Sequence, residues 1–390
     1  MIDANLDQCT GCGACVQRCP VQCISWVEGE FGFCYPQVDR TCCCECGLCV
    51  QVCPITKPAP DIQNQGAFAA VHRDSKVLEA STSGGAFSSL AEYVLLRGGT
   101  VYGCYMDQAF QTKHVRINDR ADLSMLRGSK YVQSEIDTTY IQAKKDLIDG
   151  KYVLFTGTPC QIAGLNHFLG RDYSKLITAD IVCHGVGSQK YFDKFISFLN
   201  LKYGGISELR FRSKKYAGWS CGGMLSAENK GRKIQKPFND FNQYYYYYFL
   251  HGDIYREACY SCRYANTMRC GDFTLGDFWG VESLKLPLNT ERGCSLVLVN
   301  TPKGWDISRE LGDLKMVSVS IEEAVSQNGQ LKHPSARSKI RDMLKKQYEQ
   351  MDGAMIDRDF RKRHRFSLVK LHMKALVPYH IKLLVRKMRK

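Results

Sequence analysis

The sequence predicts an α/β protein, a mostly parallel sheet flanked by helices, preceded by a small α+β cysteine-rich domain. Three observations predict it: a four-cysteine cassette repeated within the first 54 residues, alternating strand-like and helix-like segments from residue 66 onward, and a strongly basic last segment. They divide the chain into residues 1–60, 66–335 and 336–390.

The cassette CTGCGACVQRCP (residues 9–20) places four cysteines at C-x2-C-x2-C-x3-C-P, and CCECGLCVQVCP (residues 43–54) repeats the spacing. Three thiolates at i, i+3 and i+6 on a turning loop converge on one iron–sulfur cube. In the two-cluster bacterial arrangement the fourth cysteine of each run ligates the other cube. The expected sets are Cys9, Cys12, Cys15 and Cys53, and Cys43, Cys46, Cys49 and Cys19, which makes the small domain ferredoxin-like. Disulfides would imply secretion, but MIDANLDQC has neither a charged n-region nor an apolar h-region. Zinc sites use two pairs across a long loop, not a triplet plus Cys-Pro twice over. Twenty cysteines, twelve of them before residue 54, therefore point to a reducing cytoplasm. Cys23, Cys34, Cys42 and Cys44 fall outside both patterns, and packing as small hydrophobes is their default.

In the α/β region, GAFAAVHR (66–73) and GTVYGCYM (99–106) read as strands around the helical SGGAFSSLAEYVLLRGG, which ends on a glycine pair suited to a C-cap. The helical TTYIQAKKDLIDG, the buried strand KYVLF, the turn TGTPC, the helix QIAGLNHFL and the strand LITADIVC continue the alternation. Cys160 and Cys183 each fall just past the carboxyl end of a strand, where open α/β sheets bind ligands. Further on, CYSCRYA supplies Cys259 and Cys262, followed by Cys270. Together with Cys160 and Cys183 the pair completes a set of four, enough for a third cube or a zinc tetrahedron. The run YYYYYF (244–249) reads as a tyrosine-rich helix packing on the core.

The net charge of +14 resembles a nucleic-acid footprint until it is located: residues 358–390 hold twelve Lys/Arg against one Asp, and the body is nearly neutral. No run of 18 apolar residues occurs. In the tail, Leu368, Leu371, Ala375, Ile381, Leu384, Val385 and Met388 fall roughly on one helical side, with Pro378 as a kink. Peripheral contact with the inner, anionic membrane surface is expected of it, against docking on the protein's own body or a partner.

The ordered motifs STSGGAFSSL, GSKYVQS, VLFTGTPCQIAGL, DIVCHGV, CYSCRYA and DFTLGDFWG resemble the β subunit of coenzyme F420 hydrogenase/dehydrogenase over roughly residues 66–300. The resemblance implies an FAD, with FMN as the alternative flavin. It also implies a [4Fe-4S] cluster on Cys160, Cys183, Cys259 and Cys262, and electron exchange between a two-electron donor or acceptor and iron–sulfur carriers. The donor would be F420H2, ferredoxin or a nicotinamide nucleotide. Ser81, Thr82, Ser83, Gly84 and Gly85, with Lys130, Thr156, Gly157 and Thr158, are the flavin candidates. Glycines before a helix let backbone N–H groups approach a phosphate or ring carbonyl, although for a lone SGG an ordinary N-cap at Ser83 is the more usual reading. Lys130 and His184 are the candidates for contact with the reacting groups. Cys104, Cys221, Cys270 and Cys294 stand where no cluster ligand is expected, and Cys270 competes with the four named. Similar bacterial chains are associated with polysaccharide biosynthesis, so a ferredoxin-dependent reductase in that setting is one alternative. A non-catalytic electron-transfer subunit and a zinc-stabilised binding protein are the others.

Overall fold

The computed structural model describes residues 7–57, 64–239 and 242–365. The N-terminal module holds a two-stranded antiparallel ribbon, β1 (Ile24–Glu28) and β2 (Cys34–Val38). Each cassette carries one short helix, Ala14–Arg18 or Leu48–Gln51. The two loops have the same backbone: Gly11 and Gly13 stand at φ +68 and +77, and their counterparts Glu45 and Gly47 at +51 and +72. Glycine at position 11 answers to its surroundings, since a Cβ there would lie 2.7 Å from the Gln133 amide nitrogen. Glu45, at the equivalent turn, is exposed.

Eight strands form the main sheet: β3 (Gly66–His72), β4 (Thr100–Met106), β5 (Thr112–Ile117), β6 (Val153–Gly157), β7 (Leu176–Ile181), β11 (Phe273–Asp277), β12 (Ser295–Val299) and β13 (Leu314–Val319). A separate antiparallel sheet holds β8 (Gly205–Arg210), β9 (Gly223–Asn229) and β10 (Arg232–Phe238). The main order is β13-β3-β12-β11-β7-β6-β4-β5. The α/β class is as expected, but only the central run β11-β7-β6-β4 is parallel, and β5, β12, β3 and β13 attach through antiparallel pairs. The reason lies in coverage: β12, SLVLV, is buried along its whole length, so its apolar run carries no record of pairing direction.

The helices Thr139–Ile148 and Pro159–Leu169 follow the expected alternation and cover the sheet around β6. The tyrosine-rich segment forms the helix Tyr244–Leu250, with Tyr244, Tyr245, Tyr246 and Tyr248 fully buried in an aromatic core that also takes in Phe31, Phe192 and Phe195. The segment expected as a basic tail begins with the helices Arg341–Gln350 and Gly353–Arg363, whose Leu344, Ile356 and Phe360 belong to that same core. Residues 366–390, with the apolar positions from Leu368 to Met388, lie outside the described residues. Among the described residues no helix is long and apolar enough to cross a membrane.

Candidate functional site

The carboxyl ends of β6, β7 and β11 open into a cavity of about 890 Å³, lined among others by Thr156, Gly157, Ile181, Cys183, Gly276 and Asp277. Its volume is at the upper end of ordinary ligand pockets, roughly 300–1,000 Å³. Ser81, Thr82, Ser83, Gly85, Lys130, Thr156, Gly157, Thr158 and His184 all line it. Gly84 does not; its N–H donates to Ser295 Oγ at 2.9 Å, and a Cβ there would strike the Ala70 carbonyl, so it presses the loop onto the sheet.

Gly85, at φ +95, is the N-cap of the helix Ala86–Leu95, and no side chain caps that end. Ser83 is therefore not the cap; its hydroxyl donates to the Cys294 carbonyl at 2.7 Å. Gly85, Ala86 and Phe87 bring the uncapped first turn into the cavity wall, where N–H groups and the helix dipole favour an anionic group.

Lys130 spends its ammonium on three carbonyls, those of Met125, Leu126 and Arg127 at 3.3, 3.1 and 2.8 Å, and burial lowers its pKa. It is a pinned positive charge in the wall, not a mobile one. His184 is open to the cavity yet hemmed in by protein, and the lost hydration lowers its pKa.

Several residues of the wall were not singled out in the sequence. His114 is buried, with Nδ1 2.9 Å from Ser134 Oγ and Nε2 2.8 Å from the Thr156 carbonyl; burial pushes it down to about 4, so it is neutral near pH 7. Since a carbonyl only accepts, Nε2 carries the proton. Asp277 accepts from Trp219 Nε1 at 2.7 Å and pairs with Arg212. Trp219 stacks on Trp279 at 5.0 Å, with the Arg212 guanidinium 5.3 Å from the Trp279 ring centre. The GDFWG motif thus builds one wall, the aspartate holding the arginine and the indole in place.

The cysteines gather in three sets. Cys12 lies within electrostatic reach of Cys9 and Cys15, and Cys15 within reach of Cys9, Cys53 and Cys49. Cys19, Cys43, Cys46 and Cys49 line one small recess, which Cys23 and Cys44 share; Cys19 Sγ is 3.4 Å from Cys23 Sγ. Cys183 is within reach of Cys160, Cys259 and Cys262. Burial raises all four thiols of this third set, Cys160 to about 11 and Cys259 to about 12. Buried sulfurs that resist ionising alone fit a cationic metal core, whose charge offsets that of the thiolates. Among the described residues no three His, Cys, Asp or Glu side chains close around a point that would hold a single metal ion. Cys270 is buried beside the set, but its thiol donates to the Pro159 carbonyl at 3.1 Å; Cys104 and Cys221 line the cavity.

The first set is packed against the third. Cys12 is within electrostatic reach of Cys160, and a Cβ at Gly164, on the helix that carries Cys160, would lie 3.0 Å from Cys12 Sγ. Tyr140 Oη donates to the Cys12 carbonyl at 2.9 Å and to that of Gln161 at 2.8 Å, tying module to helix.

Cassette loops with [4Fe-4S] ligand spacing stand beside an α/β domain with a sheet-edge cavity, the parts of an iron–sulfur oxidoreductase. The family model for the C terminus of the coenzyme F420 hydrogenase/dehydrogenase beta subunit matches residues 150–323, and that of the 4Fe-4S binding domain matches residues 2–25. No curated protein matches the chain. A solved chain of the xenon-derivatised F420-reducing [NiFe] hydrogenase complex from Methanosarcina barkeri is similar at 16% identity and a TM-score of 0.44, over 77% of this chain and 92% of that one.

Proposed function

We propose that the chain passes electrons between a two-electron donor or acceptor, such as F420H2, and iron–sulfur carriers, through FAD held in the cavity at the sheet edge. The observation that carries this reading is the order of the sites: Cys49 of the second set neighbours Cys15 of the first, Cys12 of the first neighbours Cys160 of the third, and Cys183 of the third lines the cavity. Neighbour by neighbour, the sets connect the exposed Cys46 to the cavity wall. A flavin bound there would supply the interconversion of two-electron and one-electron chemistry.

The chain's own residues orient and enclose. The uncapped turn at Gly85 and Ala86 receives an anionic group, and Lys130 adds fixed positive charge. His114 holds its proton on Nε2 against Thr156, which keeps the loop before Cys160 in one position. Thr158 supports the same loop, its N–H donating to Gln161 Oε1 at 2.9 Å. The cavity favours an enzyme over a non-catalytic wire, because a wire has no use for a ligand-sized space beside its last thiol set.

Anaerobic protein should hold about twelve irons, four for each of three [4Fe-4S] groups, and retain flavin through desalting. Cys262→Ala should lose about four irons and leave the N-terminal about eight. Protein that retains neither FAD nor FMN on reconstitution would yield to the wire reading.

A further inference from the structure

Arg256 is one of the largest fully buried side chains, at 1% exposure. Its backbone belongs to the third cysteine set: the N–H donates to the Val186 carbonyl, on the loop from Cys183, and its carbonyl accepts from the Cys259 N–H at 2.9 Å. Its side chain belongs to the first. Nε donates to the Cys9 carbonyl at 2.6 Å, Nη2 to the Cys34 carbonyl at 2.9 Å with Cys9 Sγ 3.8 Å away, and Nη1 to Gln133 Oε1 at 3.1 Å. The guanidinium lies 4.3 Å from the Tyr35 ring centre and 5.3 Å from that of Phe33.

None of these partners is a carboxylate. A guanidinium taken out of water costs several kcal/mol unless an opposite charge answers it, and carbonyls and rings offset only part of that. Among the described residues around it, the groups that would answer the charge are the cysteine sulfurs, as thiolates on a bound cluster. Cys9 is in contact, and Cys160 and Cys259 are within electrostatic reach.

We propose that Arg256 is a positioning residue shared by the first and third cysteine sets, fixing their separation and raising the reduction potential of the groups bound in both. The proposal rests on the reading of Cys160, Cys183, Cys259 and Cys262 as cluster ligands. Each electron added makes a thiolate-held cluster more negative, and one buried cation between two such groups favours the reduced state of either. A neutral clamp would hold the interface equally well, so charge is what distinguishes the two roles.

The test is a paramagnetic-resonance redox titration of the anaerobic full-length protein beside its Arg256→Gln and Arg256→Lys variants, with iron counted in each. Gln keeps hydrogen bonding without charge, whereas Lys keeps charge without the fork. In Arg256→Gln the first and third signals should fall in potential by about 59 mV, a tenfold lower ratio of reduced to oxidised cluster at fixed potential. The signal of the second set, which Arg256 does not touch, should stay in place. Arg256→Lys should keep both potentials near the parent's. An Arg256→Gln protein with full iron and unmoved potentials overturns the proposal, as does an Arg256→Lys protein whose potentials fall as far as those of Arg256→Gln. If Arg256→Gln does not fold, a fall in the Lys variant still overturns it and constancy supports it. Parent protein with about eight irons instead overturns the cluster assignment, and the sharing with it, before any variant is read.

Discussion

Arg269→Met should cost more than any surface change and should dismantle one site only. Asp180 and Arg269 are buried, exposing 0% and 1% of their side-chain surface. Asp180 Oδ1 accepts from Arg269 Nε at 3.0 Å and Nη2 at 2.6 Å and from Thr274 Oγ1 at 2.9 Å, while Oδ2 accepts from the Gly271 N–H at 3.0 Å. The same guanidinium donates to the carbonyls of Ile181, two residues before Cys183, and Tyr264, two residues after Cys262. Met keeps the length and loses the charge and every bond that the guanidinium donates, leaving Asp180 with only Thr274 and Gly271. Leaving one member of a buried ion pair costs about 3–5 kcal/mol, which lowers a urea midpoint by on the order of 1 M or more. Because the lost bonds hold the Cys183 and Cys262 loops together, iron should fall by about four per chain while the N-terminal module keeps its about eight. Anaerobic urea titration with an iron count reads both quantities. Asp180→Asn added to Arg269→Met should recover part of the loss by removing the orphaned charge. An Arg269→Met protein with full iron and an unchanged midpoint would refute the reasoning.

Acid should weaken the fold through His114: its native value of about 4 lies below the ordinary 6.5, so the unfolded chain binds a proton that the native one refuses. Stability is full above pH 6.5 and falls as pH drops toward 4, by about 3 kcal/mol, and denaturation of His114→Gln at pH 7 and pH 5 should show that slope flattened. Gly85→Ala puts a Cβ 2.8 Å from that of His72 at φ +95. Backbone strain alone costs about 1–2 kcal/mol, and the displaced helix end should release flavin on desalting. Co-sedimentation with anionic and neutral vesicles, comparing the full chain with one ended after Arg365, tests the basic tail; equal recovery of both in the supernatant at low salt would refute a membrane role. An earlier cut would remove Phe360, which is fully buried.

The cassettes were legible because three thiolates on one turning loop is a local device, written in consecutive residues. The cavity was legible at one remove: strand ends mark where open α/β sheets bind, and Thr156, Gly157 and Cys183 fall there. Arg256, Arg269 and Arg212 were not, since Arg256 to Cys9 spans 247 positions and nothing near Arg256 in the chain marks its partner. Ser83 was legible as a cap by type, but the chain turns two residues later, where Gly85 admits the positive φ. Strand direction was lost because a strand covered on both faces has the same apolar text whichever way its neighbour runs.

The twin cassette loops share one backbone and differ in cover. Gly11 is wedged against Gln133 and Arg256, while among the described residues nothing stands within 4 Å of a Cβ at Gly47, and Cys44 and Cys46 are exposed. Dissolved oxygen and peroxide therefore meet the second set first, where thiolates are open to oxidation. Cys12 and Cys15 of the first set are buried and are reached later, whereas the third set can also be approached from the cavity that Cys183 lines. Air should strip the two ends of the chain of sites before its buried middle, cutting contact with external carriers and with the cavity while the link between them is still whole.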